Sequence, residues 1–523
     1  MGFLRNEKLF YFSAIFLTLG IVYSPCLFFK YIYHDEVILL INRQPFVLHP
    51  NFHLEMGLGR PGNAVLVTFY DWFLNSIEDI QVTRWICLLE LSICTRLCMK
   101  LFQKFLSDRI IAFLAAITLF TLPPFQVFIS WSGNVAWHTT LLLSTINAMI
   151  LYRRLEHHPE ESIGQFLKRR SLFPAILFFM ALLIYPAVAM FYWAMLALIL
   201  LGQSSAQQKR SAAIFAAIGF LYFGLYSLML AAFKIFYRET HGIYNPYNFC
   251  TDISEKISWL IREPLTNALN LHSIYPRTWV AVSWAAFVVL SAAVFCVRTK
   301  PAFQKISFYS ALFFSLLILS FLPNLSAQVN VGFYRCSTGL SALILIAVIW
   351  AVHSWMIFFP DKIKPRACLL TFLILFCAGT QQAFSNVLNH RALPSTIELS
   401  ELGNIAKYLN FDRFQHIHIL RPLASPQDRY DEFGTLTTSF FHNVAPFFTH
   451  IAEANGQSIG IKKPDLTTHF IKERDYPGRL PNYIIAAKRP HVYLKESAST
   501  FDIHLAEKIP DNELIIDLRS INR

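Results

Sequence analysis

Charge is what this chain has least of. Asp, Glu, Lys and Arg make up 15% of its 523 residues, against roughly a quarter in soluble domains, which excludes an ordinary water-soluble globule. The nine cysteines show no metal-ligand spacing and no disulfide framework. His34, His49 and His53 crowd one stretch but match no metal box, so neither a metal nor another cofactor is implied. Alternation over segments of ~10 residues is missing, and with it the signature of a membrane β-barrel. Internal repeats and low-complexity tracts are absent too, which weighs against transporter folds built from inverted repeats.

What remains is apolar. Hydrophobic residues make up 55% of the chain and mean hydropathy is +0.43. The apolar runs are long and continuous, so the expected fold class is an α-helical polytopic membrane protein, its backbone hydrogen bonds closed within each helix. The net charge of +12 could point to nucleic acid, but the basic residues cluster in short loops between apolar runs. That placement reads as topology by the positive-inside rule, with no nucleic-acid partner.

Leu9 to Phe29 matches the ~30 Å hydrocarbon core and predicts a first span with the N-terminus inside. Ten more follow, from about Val82, Ile110, Val135, Leu172, Pro186, Ala212, Thr278, Ile306, Ser337 and Ala367. The fifth and sixth share one stretch, Leu172 to Leu201, too long for one span and short for two. Tyr185-Pro186 supplies a turn in its middle, because proline removes a donor and disfavours a continuous helix. Lys100, Lys104, Arg153, Arg154, Lys209, Arg210, Lys300, Lys305, Lys362 and Lys364 then all fall on the inner side. The predicted organisation is a transmembrane domain over 1–386, with long outer loops at 30–80 and 234–277, and a small soluble α/β domain over 387–523 on the outer face. His416 to Leu420, Tyr483 to Ala487 and Glu513 to Leu518 read as its strands, and it carries no Walker or Rossmann glycine fingerprint.

The residues that could carry chemistry sit on the outer side. Asp35 and Glu36 follow the first span, where an anion would repel lipid phosphate. A carboxylate partly shielded there has a raised pKa and can take a proton from a hydroxyl, with Asp35 as the base and Glu36 binding or orienting the acceptor. The plainer reading is two solvated charges at a helix end. Arg60, Arg277 and Arg335 run against the positive-inside rule, and a guanidinium fork suits phosphate oxygens. Headgroup anchoring is the competing role for Arg335. Tyr185 could hydrogen-bond a bound headgroup or simply pack at the interface, while Lys234 and Arg238 are weaker contacts that could snorkel.

Together these features resemble the GT-C superfamily of polyprenyl-phosphate-sugar glycosyltransferases, with likeness to bacterial O-antigen glucosyltransferase-type and aminoarabinose-transferase-like proteins. As architecture the resemblance covers Leu9 to Phe384. As motif it rests on Asp35-Glu36, where many members have Asp-Asp, on Gly59-Arg60, on Tyr185-Pro186 and on Tyr334-Arg335. It implies a multi-pass enzyme of the bacterial inner membrane, with the C-terminal domain in the periplasm. The donor would be a polyprenyl-phosphate-linked sugar, undecaprenyl phosphate included, and the acceptor an envelope glycan such as lipopolysaccharide O-antigen, a lipid or a protein. Asp35 and Glu36 would then be catalytic, with Arg60, Arg277, Arg335 and Tyr334 on the donor phosphate. A transporter or flippase of lipid-linked glycans is the alternative, for which Glu90 and Arg96 in the second span are candidates; a non-catalytic envelope scaffold is the third.

Overall fold

The computed structural model describes residues 2–33, 36, 50–71, 73–74, 76–131, 133, 135–241, 250–356, 359–408, 416–420, 432–433, 485–487 and 513–517. The chain forms two compact units. One comprises Met1–Leu27, Gln44–Tyr70 and Thr83–Asn386; the other comprises Phe28–Arg43, Asp71–Val82 and Val387–Arg523.

The first unit is a bundle of helices around Thr338–Trp355. That helix is apolar on all sides, the pattern of a helix enclosed by others. Of the candidate membrane span Tyr334–Trp355, 83% is buried inside the protein, against 11% for Thr278–Thr299, which turns its apolar surface outward. Helices Phe191–Leu201, Thr278–Thr299 and Thr266–Leu269 pack against the central one. Close approach depends on Gly339, where a Cβ would stand 2.8 Å from the carbonyl oxygens of both Met190 and Ser320.

Helix Arg109–Phe120 is capped by Asp108, whose Oδ1 accepts from the backbone N–H groups of Ile110 at 2.8 Å and Ile111 at 2.9 Å. It stops before Pro123-Pro124, and Pro123–Ser130 continues at 65° to it. Breaking a helix among apolar neighbours exposes carbonyls that need donors. Two side chains, His272 and Gln126, supply them, and Asn386 holds both in place. His272 Nε2 lies 3.0 Å from the Thr118 carbonyl and 3.1 Å from Thr121 Oγ1. Gln126 donates to the Thr121 carbonyl at 2.7 Å, and Asn386 donates to Gln126 at 3.0 Å and to the His272 carbonyl at 2.9 Å. The His272 ring packs so closely on Gly379 that a Cβ there would sit 2.8 Å from it.

Each of the eleven expected spans is helical over most of its length, but eleven is not the number long and apolar enough to cross a membrane. Among the described residues four helices are: Ser205–Phe233, Thr278–Thr299, Tyr334–Trp355 and Lys364–Ser400. A fifth is added if the bent pair counts as one span. The reasons are local. Leu9–Val22, Leu172–Ile184, Pro186–Leu201 and Phe303–Leu319 are shorter helices, and at 1.5 Å per residue a helix of fourteen reaches roughly 21 Å. Ile77–Leu106 is long enough but carries Arg84, Glu90, Arg96 and Lys100 along its length. Ala136–His157 is made polar by His138, Ser144, Thr145 and Asn147.

In the second unit, Lys30 donates to Glu78 at 2.7 Å and the Phe29 carbonyl accepts from Gln81 at 3.3 Å. Strands β1 (His416–Leu420), β2 (Ile485–Ala487) and β3 (Glu513–Asp517) form a sheet in the order β1-β3-β2. β1 pairs parallel to β3, with His416 opposite Glu513, and β2 antiparallel, with Ala486 opposite Ile515.

Burial holds the His272 imidazolium down at about 4, against the opposing pull of its bond to the Thr118 carbonyl. The ring is therefore neutral when folded, while an unfolded histidine titrates near 6.5. Below pH 6.5 the unfolded chain takes up a proton that the folded one refuses until about pH 4. Stability is therefore lost as pH falls across that window, by on the order of 1–3 kcal/mol because part of the residue reaches solvent. Melting in detergent at pH 7 and pH 5 should show a larger drop for the wild type than for His272→Gln. Equal drops would mean that His272 titrates normally.

Candidate functional site

Three breaks in the first unit's helices meet at one cavity of about 160 Å³, lined by Arg60, Tyr185, Tyr226, Asn324, Phe333 and Arg335 among others. Each break is dictated locally. Helix Pro50–Gly57 ends at Gly59, whose φ of +75° is the left-handed conformation that glycine tolerates. The Gly59 N–H donates to the Met56 carbonyl and the Arg60 N–H to the Glu55 carbonyl, both at 2.9 Å, which is a Schellman turn. Pro61 then opens helix Pro61–Asp71 at a position where no N–H is needed. A Cβ at Gly59 would also strike Leu230 at 1.9 Å, and the Gly59 carbonyl accepts from Tyr226 Oη at 3.2 Å. Backbone geometry thus delivers the Arg60 side chain to the cavity.

Tyr185 is the second break. Helix Leu172–Ile184 ends there in an extended residue, φ −151° and ψ 94°, and Pro186 starts the next turn. Arg60 Cζ lies 4.4 Å above the Tyr185 ring, near enough for a cation–π contact. The Tyr185 hydroxyl approaches Cys336 Sγ at 3.7 Å. At the third break, the 3-10 turn Tyr334–Ser337 carries Arg335 straight into the central helix. Three rings surround the Arg335 guanidinium: Phe333 at 4.0 Å, Trp131 at 5.0 Å and Trp137 at 5.4 Å. Trp137 also meets Tyr185 edge-on at 6.1 Å, so two aromatic rings join the two arginines. Stacking occupies the faces of a guanidinium and directs its hydrogen bonds into the plane.

One wall of the cavity is fixed by a buried lysine. Lys256 Nζ donates to the Val329 carbonyl at 3.0 Å and to Asn330 Oδ1 at 2.7 Å, with the Asn324 carbonyl at 3.5 Å. Burial lowers its ammonium below the usual range, against smaller upward pulls from Cys250 and Glu255. Asn324 Nδ2 in turn donates to the Cys336 carbonyl at 3.0 Å, tying this loop to the turn that bears Arg335.

The structure brings together Arg60, Tyr185 and Arg335 of the residues singled out in the sequence. It does not bring Arg277, which is exposed at the start of Thr278–Thr299 and donates its N–H to Asn270 Oδ1 at 2.8 Å. Nor does it bring Tyr334, which is buried with its hydroxyl donating to the Ile274 carbonyl at 2.8 Å. Asp35 lies outside the described residues. Lys234 and Arg238 belong to helix Ser205–His241, but their side chains lie outside the described residues. Compared with protein-family models and with curated proteins, the chain matches none.

Glu36 is fully buried in the second unit, and its Oε2 accepts from the Tyr33 N–H at 2.9 Å. The Tyr33 ring lies 3.3 Å from the Cζ of Arg391, a fully buried side chain carried on the π-helical turn Leu388–Ala392. Phe433 flanks the same guanidinium at 5.4 Å. Glu398 and Glu432 are buried in this unit as well. Among the described residues no three His, Cys, Asp or Glu side chains form a metal-holding group.

Sequence reading missed Glu55, whose carboxylate is 3.6 Å from Arg60 Nη1. Its position on the last turn before the Gly57-Leu58-Gly59 segment was the available signal. Tyr226 was missed because an aromatic in mid-helix looks like core.

Two guanidinium groups should make the cavity electropositive, and Cys336, which lines it and forms no disulfide, can report this. A methanethiosulfonate bearing a sulfonate should modify Cys336 roughly tenfold faster than one of equal size bearing a quaternary ammonium. Arg60→Gln should shrink the ratio, read by peptide mass. Equal rates for the two reagents in the wild type would contradict an anion-attracting cavity.

Proposed function

We propose that this cavity is the donor-phosphate site of a GT-C-type membrane glycosyltransferase, which moves a hexose or pentose from a polyprenyl phosphate to a hydroxyl of an envelope glycan, lipid or protein. The observation that carries the reading is that Arg60 and Arg335, far apart in sequence, line the same cavity with Tyr185 between them. The cavity's volume suits a phosphate and a few waters, so the polyprenyl chain would run outside it along the apolar helices.

In this reading, Arg335 and Arg60 neutralise the phosphate as its bond to the anomeric carbon breaks. The base that takes the proton from the attacking acceptor hydroxyl is, on the sequence reading, Asp35, which lies outside the described residues, with Glu36 binding or orienting the acceptor. The new glycosidic bond forms on the face opposite the departing phosphate, so the anomeric centre inverts. Charge stabilisation at the leaving group and alignment of the acceptor supply most of the rate. The enzyme is taken to lie in the bacterial inner membrane with its N-terminus cytoplasmic, the shorter helices completing an eleven-pass topology and the C-terminal α/β domain periplasmic.

A transporter would need buried charges turned toward a pathway. Glu90 instead closes on His138 Nδ1, and Arg96 lies over the Tyr11 ring at 5.8 Å with Met99 Sδ at 3.8 Å. Both charges are engaged in contacts with neighbouring side chains, which weakens the case for these two as a transport pathway.

Mass spectrometry of envelope glycans from cells with and without the protein tests the proposal. Its loss should remove one hexose or pentose from an envelope glycan, lipid or protein. Arg335→Gln should lower transfer by roughly a hundredfold, and Asp35→Asn should abolish it. Unchanged glycan masses on complete loss of the protein would exclude the transferase. Full transfer by Asp35→Asn would displace the base alone.

A further inference from the structure

Helix Ile253–Leu260 and the turn after it show three faces rather than two. Lys256, Trp259 and Leu260 are buried against the protein. Ser254, Glu255 and Arg262 are exposed and polar. Between these faces runs an exposed apolar stripe at i, i+4 and i+8: Ile253 at 71%, Ile257 at 52% and Ile261 at 55% exposure. At 100° per residue the stripe occupies one sector, with the buried face to one side and the polar face to the other. A helix floating in water has no use for the third sector. One lying in the plane of a membrane surface needs all three: protein beside it, lipid below, water above.

Its surroundings put this helix at the right level. The Trp259 ring stands 5.7 Å from Phe321, just past the end of helix Phe303–Leu319. Lys256 is bonded to the loop that leads into the candidate span Tyr334–Trp355. The following turn, Thr266–Leu269, packs on Thr278–Thr299 near the start of that candidate span. Trp279 and Val282 there are 66% and 60% exposed, so the candidate span beside this turn also presents apolar surface outward.

We infer that Ile253–Ile261 is an in-plane helix bedded by Ile253, Ile257 and Ile261 in the interfacial layer of the bilayer that the neighbouring helices cross. Lys256 sits on the adjoining buried face of the same helix, about 100° round from Ile257, and holds the cavity's loop wall, so the helix fixes that wall to the membrane surface. This inference does not depend on the reaction proposed above.

The test uses the full chain in phosphatidylcholine vesicles, with Cys250, Cys296, Cys336 and Cys377 replaced by serine. Ile257→Cys and Ser258→Cys are each labelled with an environment-sensitive nitrobenzoxadiazole. The label at 257 should be blue-shifted, quenched strongly by lipid with a shallow nitroxide and weakly by aqueous iodide. The label at 258 should show the reverse preference. Iodide quenching at 257 equal to that at 258 would overturn the inference. So would a blue-shifted label at 257 that no lipid nitroxide quenches, since another protein surface would then cover the stripe. Tryptophan emission and gel filtration confirm that each labelled variant is folded, and a misfolded position is replaced by Ile253→Cys, which carries the same expectation.

Discussion

Like charges repel most where little water is present to screen them, and this bundle sets two guanidinium groups around one small cavity with largely apolar walls. Part of the repulsion is offset by Glu55 beside Arg60 and by the rings that enclose Arg335. A phosphate bound there, as proposed, would offset more.

Holding those charges in place requires breaks in helices, and each break must be repaired. The Schellman turn before Arg60 satisfies its own carbonyls with backbone N–H groups. At the 3-10 turn bearing Arg335, Asn324 repairs the Cys336 carbonyl, and Lys256 secures the loop from which Asn324 comes. The bend after Phe120 is closed by His272, Gln126 and Asn386. At each of these points hydrogen bonds from backbone or side chain replace those that the broken helix gives up, and the cavity is bordered by such points.

Much of this was legible in the chain. Long apolar runs gave helices, Tyr185-Pro186 gave a break, and the Gly-Leu-Gly-Arg-Pro segment marked a turn that presents an arginine. Outward arginines drew attention because they violate the charge bias of membrane loops, and two of the three line the cavity. Arg277 does not, because whether a residue at a helix start turns inward depends on packing that periodicity does not encode. Tyr334 and Arg335 are neighbours, yet successive residues of a 3-10 turn point about 120° apart, so one reaches the Ile274 carbonyl and the other the cavity. Hydropathy registers apolar content and is blind to bends and helix length, so eleven apolar runs read as spans where four helices, or five with the bent pair, are long and apolar enough among the described residues.

Whether both arginines act on one ligand decides the account. The direct measurement is a double-mutant cycle on binding of a short-chain polyprenyl phosphate, comparing wild type, Arg60→Gln, Arg335→Gln and the double variant. The account predicts that each single change weakens binding and that the double change costs clearly less or more than their sum, a coupling above about 0.5 kcal/mol. Strictly additive losses, or binding indifferent to either arginine, would contradict it.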